Sequence, residues 1–199
     1  MSLVRLSVTE KRYCLDMLAR KFASKRARHK WSPSQSRKFE AFVAWFNVGS
    51  VLFHEERPLD EWKEMQKQVY EGVCWKNFGN LPTESDVLYT GLMTYDAWKG
   101  GSKITCEHRY PKTPWFRCLL KLYGPENPMS VEAFLWLYEN DGGTYHKTTP
   151  QENGRLRTPQ KNDPLDGGIT SYARAGVTVR RPDEWEAVHS LMLCHRSAV

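Results

Sequence analysis

The chain has 199 residues, of which 40% are hydrophobic and 13% aromatic; this suits one generous domain or two small ones and excludes wholesale disorder. No apolar run reaches the roughly 18 residues that a membrane helix needs, and the opening MSLVRLSVTEKR has no apolar signal core, so a soluble, cytoplasmic protein with no membrane partner is expected. The formal net charge is +6, yet residues 1–40 alone hold eleven Lys/Arg against three Asp/Glu, which makes the N-terminal segment the positive pole and points to a polyanionic partner.

In chain order, SVTEKRYCLDMLARKFASKRARHK reads as a helix: Thr9 can cap it, and Leu15, Leu18 and Phe22 recur at helical spacing. Its second half carries Lys21, Lys25, Arg26, Arg28 and Lys30, cations that suit the negative end of a helix dipole. A second helix starts with Ser32 as N-cap and Pro33 at the first helical position, and its apolar face includes Phe39, Phe42, Val43 and Phe46. RPLDEWKEMQKQVYEGV is a third, with Trp62, Met65, Val69 and Tyr70. Residues 1–72 therefore read as a basic helical region that would bind DNA, and 73–101 as a connecting segment.

A strand is expected over 102–107, then two helices at 114–123 and 130–140, then a strand in the TYHKTT run. TPQEN follows: Thr149 as N-cap, Pro150 first in the helix and Glu152 three residues past the cap, a capping box. Gly154 and Pro159 predict that this helix is short. The C-terminal extension, 161–199, suggests a strand around 176–180, a helix from Pro182 and DNA contacts through Arg174, Arg180 and Arg181. The five cysteines are widely spaced with no C-x-x-C, so neither a disulfide framework nor structural zinc is expected.

CEHRYPK, residues 106–112, raises the question of chemistry. An acid beside a histidine, followed by Arg109 and Lys112, is either a polar loop or half of a phosphodiester-cleaving site. An imidazole with an ordinary pKa of about 6.5 can take a proton from water near neutral pH. Oxygen ligands such as Glu107 and Asn153 suit a hard divalent cation.

Together, CEHRYPK and TYHKTTPQENGRL resemble the HNH, or ββα-metal, nuclease superfamily, closest in flavour to small free-standing phage HNH and homing endonucleases. The resemblance covers about residues 102–160. It implies an α+β, predominantly helical protein: a helical N-terminal region and a ββα-metal core whose two strands are separated by a helical insertion. It also implies a metal-dependent DNA endonuclease, acting on double-stranded DNA in a bacterial host's cytoplasm if the protein is phage-encoded. Carried over by position, His108 is the general base, Glu107 and Asn153 bind one divalent metal (Mg²⁺, with Mn²⁺ also suited), and His146 orients or supports the base. Arg109, Lys112 and Arg155 are phosphate contacts by proximity only. The chain departs from the family pattern in three ways: the two inserted helices lengthen the motif, the zinc-binding cysteine pairs of many relatives are absent, and Glu107 stands where many relatives have Asp or His. Without those cysteines, packing by Trp115, Phe116, Leu119, Leu120, Phe134, Leu135 and Leu137 would have to hold the core. The alternatives are a non-catalytic phage DNA-binding or regulatory protein on a related scaffold, and a structure-specific resolvase or RNase.

Overall fold

The computed structural model describes residues 29–54, 64–65, 67–69, 72, 77–82, 86–162 and 169–196. The helix expected around Thr9–Phe22, with Lys21, Lys25, Arg26 and Arg28, lies outside the described residues. Of the helix expected over RPLDEWKEMQKQVYEGV, residues 64–65 and 67–69 are described and helical, and Val69 is buried. The protein is α+β and mostly helical, and among the described residues four strands form one mixed sheet. These residues fall into two compact units, one drawn from Met1–Thr83 with Pro111–Gly143, the other from Glu84–Tyr110 with Thr144–Val199.

The first unit is built on α1 (Pro33–His54). Ser32 and Gln35 form a reciprocal cap at its start: the Gln35 N–H donates to Ser32 Oγ at 3.3 Å, and the Ser32 N–H donates to Gln35 Oε1 at 3.1 Å. Phe39, Phe42, Val43 and Phe46 recur at helical spacing and are all buried, as the periodicity predicts. Their partners come from later in the chain. In this unit Trp115, Phe116, Leu119 and Leu120 of the helix Lys112–Leu122, and Phe134 and Leu137 of the helix Val131–Leu137, are buried; Phe42 stacks on Phe134 with ring centroids 4.5 Å apart. Trp115, Phe116, Leu119, Leu120, Phe134 and Leu137, expected to hold the ββα core in place of zinc, thus belong to this first unit's core and not to the unit that carries the sheet. Asn47 fixes the approach to the second of these helices, donating to Met129 O at 3.0 Å and accepting from the Met129 N–H at 2.9 Å. In chain order these two helices are α3 and α4; α2 belongs to the second unit.

The second unit holds the sheet. Its strands are β1 (Tyr89–Thr94), β2 (Thr105–His108), β3 (Tyr145–Thr148) and β4 (Val179–Arg180). Its helices are α2 (Tyr95–Lys99), α5 (Pro150–Asn162), α6 (Ile169–Arg174) and α7 (Pro182–Arg196). The strand order is β2-β3-β1-β4. β2 and β3 are antiparallel, β1 and β3 parallel, β1 and β4 antiparallel. Leu156, Tyr172 and Val177 make a buried cluster, with Ala175 and Val179 against it.

Two elements differ from the sequence expectation. β1 and α2 lie within the segment expected only to connect, and β1 is an interior strand of the sheet. Its alternation is broken by Gly91, whose φ of 81° sits in the left-handed region, and the register slips there: Tyr89 pairs with Tyr145 but Met93 with Lys147. The helix after the capping box is not short. α5 runs for 13 residues and passes through Pro159. Because Pro159 falls in its last turns, the missing N–H removes one bond near an end that already leaves carbonyls unpaired within the helix.

Candidate functional site

CEHR ends β2 and TYHKT forms β3, and the antiparallel register decides which side chains meet. Glu107 pairs with His146 and Thr105 with Thr148, while His108 pairs with Tyr145 and Cys106 with Lys147. Successive strand residues alternate between faces. One sheet face therefore carries Thr105, Glu107, His146 and Thr148, and the other Cys106, His108, Tyr145 and Lys147. Glu107 and His108, neighbours in sequence, are directed to opposite faces. On the His108 face Tyr89 stacks on Tyr145 at 5.6 Å, and Lys147 Nζ lies 4.5 Å from the Tyr89 ring centre.

The Glu107 face is covered by α5 and α6. The start of α5 is fixed by the capping box: the Thr149 N–H donates to Glu152 Oε2 at 3.0 Å, and the Glu152 N–H donates to Thr149 Oγ1 at 3.3 Å. A third donor, invisible in the local sequence, is the Thr94 hydroxyl, 2.5 Å from the same Glu152 oxygen. Thr94 itself caps α2, accepting from the Ala97 N–H. One buried carboxyl group thereby ties two helix starts together. From this anchor Asn153, Leu156 and Gln160 share one face of α5, at helical spacing. Leu156 is fully buried, and Gln160 Nε2 donates to Glu107 Oε1 at 2.8 Å.

His146 is 4% exposed. Burial, aided by the Arg109 charge, lowers its pKa from 6.5 to about 4, so its imidazole is neutral at pH 7. Its Nδ1 lies 2.6 Å from Thr90 Oγ1 on β1. The Tyr172 ring of α6 meets it edge-on, with centroids 5.6 Å apart. The Tyr172 phenol is held protonated by burial and by the nearby Glu107 and Glu152 charges, which raise its pKa. The buried Tyr172 Oη and Thr148 Oγ1 have no hydrogen-bond partner among the described residues.

Of the residues picked from the sequence, Glu107 and His146 come together, with α5 across them and Asn153 in that helix's first turn. His108 takes the opposite face. Arg109, half-buried, has its guanidinium carbon 5.2 Å from the Tyr110 ring centre, and its N–H extends the β2–β3 ladder by donating to Thr144 O at 2.9 Å. Lys112 belongs to the other unit, where its Nζ lies 5.4 Å from the Phe78 ring centre. Arg155 and Lys30 are exposed. Thr90, Thr94, Gln160 and Tyr172 were not picked. Only Gln160 had a readable signal, its seven-residue spacing from Asn153.

The oxygen donors fit a hard divalent cation by type: Glu107 offers a carboxylate and Asn153 an amide oxygen. Among the described residues no group of three or more His, Cys, Asp or Glu side chains is arranged to hold a metal ion. Among the described residues no helix is long and apolar enough to cross a membrane. Comparison with protein-family models, with curated proteins and with solved structures gives no match.

Proposed function

We propose that this protein is a metal-dependent DNA endonuclease of the HNH, ββα-metal kind. The observation that carries the reading is the strand–strand–helix unit. β2 and β3 pair with Glu107 opposite His146, and α5 starts directly after β3 and reaches back to Glu107 through Gln160. The two strands are far apart in sequence, and the two helices that fill the interval, α3 and α4, are a departure from the compact family motif.

In this reading Glu107 and Asn153 hold one divalent cation, Mg²⁺ or Mn²⁺. The cation, when bound, neutralises charge on the phosphate and on the leaving oxygen. His108 accepts a proton from water, whose oxygen attacks phosphorus as the bond to the 3′-oxygen breaks. Gln160 fixes the Glu107 carboxylate. Arg109, Lys112, Arg155 and Lys30, with Lys21, Lys25, Arg26 and Arg28, supply largely sequence-blind attraction to the DNA backbone.

A second reading, a DNA-binding protein without catalysis, is favoured by one observation: Glu107 and His108 alternate across the sheet, so base and metal ligand diverge. Supercoiled-plasmid nicking separates the two. The nuclease reading expects nicking in Mg²⁺, none in EDTA, and a loss of at least tenfold in Glu107→Gln. A protein that binds the plasmid but leaves it intact in every cation tested supports the binder.

A further inference from the structure

The contacts of Thr90 bear on which nitrogen of His146 carries the proton. A threonine hydroxyl has one hydrogen to give and two lone pairs to receive with. Thr90 Oγ1 donates to the carbonyl oxygen of Tyr145 at 3.0 Å, and a carbonyl cannot donate in return. It also accepts from the Leu92 N–H at 3.3 Å. With the hydroxyl hydrogen given to the Tyr145 carbonyl, the remaining contact, 2.6 Å to His146 Nδ1, takes its proton from the ring. With Nδ1 as the donor, a neutral imidazole keeps its lone pair on Nε2. The bulge at Gly91 lies beside Thr90, in the stretch of β1 where the register with β3 slips.

We propose that Thr90 is a positioning residue that fixes His146 as the Nδ1–H tautomer, presenting Nε2 as the proton or hydrogen-bond acceptor on the sheet face shared with Glu107. This rests on the nuclease reading, in which His108 takes the water's proton and His146 Nε2 receives a hydrogen bond from a polar group held on the Glu107 face. Two further polar groups accompany it there: the buried Tyr172 and Thr148 hydroxyls have no hydrogen-bond partner among the described residues. His146 thus serves through an atom different from the one its tight Thr90 contact engages. Loss of the Thr90 hydroxyl would free the ring to change tautomer, and changes at such supporting groups typically cost about 10–100-fold in activity.

The test is two measurements on the full chain, wild type, Thr90→Val and Thr90→Ser. Long-range ¹H–¹⁵N correlation spectra at pH 7 report the His146 tautomer, and plasmid nicking in Mg²⁺ reports kcat and KM separately. The expected result is the Nδ1–H tautomer in the wild type and in Thr90→Ser, and its loss in Thr90→Val. With it should go a fall of about tenfold or more in kcat at unchanged KM. An Nε2–H tautomer in the wild type, or a Thr90→Val protein unchanged in both tautomer and kcat, overturns the role of Thr90 while the nuclease reading stands. A wild type that does not nick in any cation overturns the nuclease reading and the acceptor role with it, whatever the spectra show.

Discussion

Glu107 and His146 stand opposite each other across β2 and β3, 39 residues apart in sequence and paired in register. The alternation that puts them on one face puts His108 on the other. Two imidazoles therefore flank the sheet in different surroundings: His146 buried against Thr90 and Tyr172, His108 half-buried beside Tyr145.

Glu152 should matter more for stability than an ordinary capping residue. Its Oε2 accepts from the Thr149 N–H, the Thr149 hydroxyl and the Thr94 hydroxyl, and the side chain is 4% exposed. Glu152→Ala strands three buried donors and should cost roughly 3 kcal/mol. Thr149→Ala, a plain loss of an N-cap, should cost about 1 kcal/mol. Urea unfolding followed by circular dichroism measures both, and equal costs for the two variants would contradict the linkage.

Acid should weaken the fold through His146. Its pKa is lowered from 6.5 to about 4, so the unfolded chain takes up this proton before the folded one does. The stabilisation is complete above about pH 6.5, falls as pH drops through the interval, and is gone below about pH 4. The full difference is about 3 kcal/mol. Unfolding free energies compared between pH 7 and pH 4 should show this loss in the wild type and a smaller one in His146→Gln.

Gly142 should tolerate no side chain. A Cβ there would come within 2.3 Å of the ring of Trp115, which is itself 0% exposed. The indole has no room to retreat, so Gly142→Ala should destabilise by roughly 1–3 kcal/mol through overpacking. Gly154→Ala is the control: a Cβ there meets nothing within 4 Å, and alanine favours the helix. Thermal melts that rank Gly154→Ala below Gly142→Ala would contradict this packing.

Arg155 is exposed on α5 and should act on DNA only through charge. Arg155→Ala should weaken binding equally for unrelated duplexes. It should also lower the slope of log K against log salt by about 0.9. Fluorescence anisotropy over a salt series measures this, and an unchanged slope removes Arg155 from the phosphate contacts.

Much of the local structure was legible because its signals are short-range. Ser32-Pro33 and Thr149-Pro150-Gln151-Glu152 each satisfy their own helix start, and the apolar spacing of Phe39, Phe42, Val43 and Phe46 finds its buried face without reference to the rest of the chain. The histidine strands were legible for the same reason. β1 was not, because Gly91 breaks the two-residue alternation by which a strand is recognised, and its pairing with β3 is made across more than fifty residues. Thr90, Thr94 and Tyr172 reach the site only through that pairing and through α6. No periodicity connects them to Glu107 or His146, so the polar surroundings of the candidate site had to come from the folded chain. Pro159 misled for the converse reason: a helix breaker counts for little in the last turns.

The most direct measurement is the single-turnover rate of supercoiled-plasmid nicking in Mg²⁺ by the wild type and by His108→Ala, with binding of the same plasmid measured in parallel. The expected result is nicking that EDTA abolishes, a loss of at least about a hundredfold in His108→Ala, and unchanged plasmid affinity. A His108→Ala protein that nicks at the wild-type rate, or a wild type that binds the plasmid without nicking it, contradicts the assignment of His108 as the base.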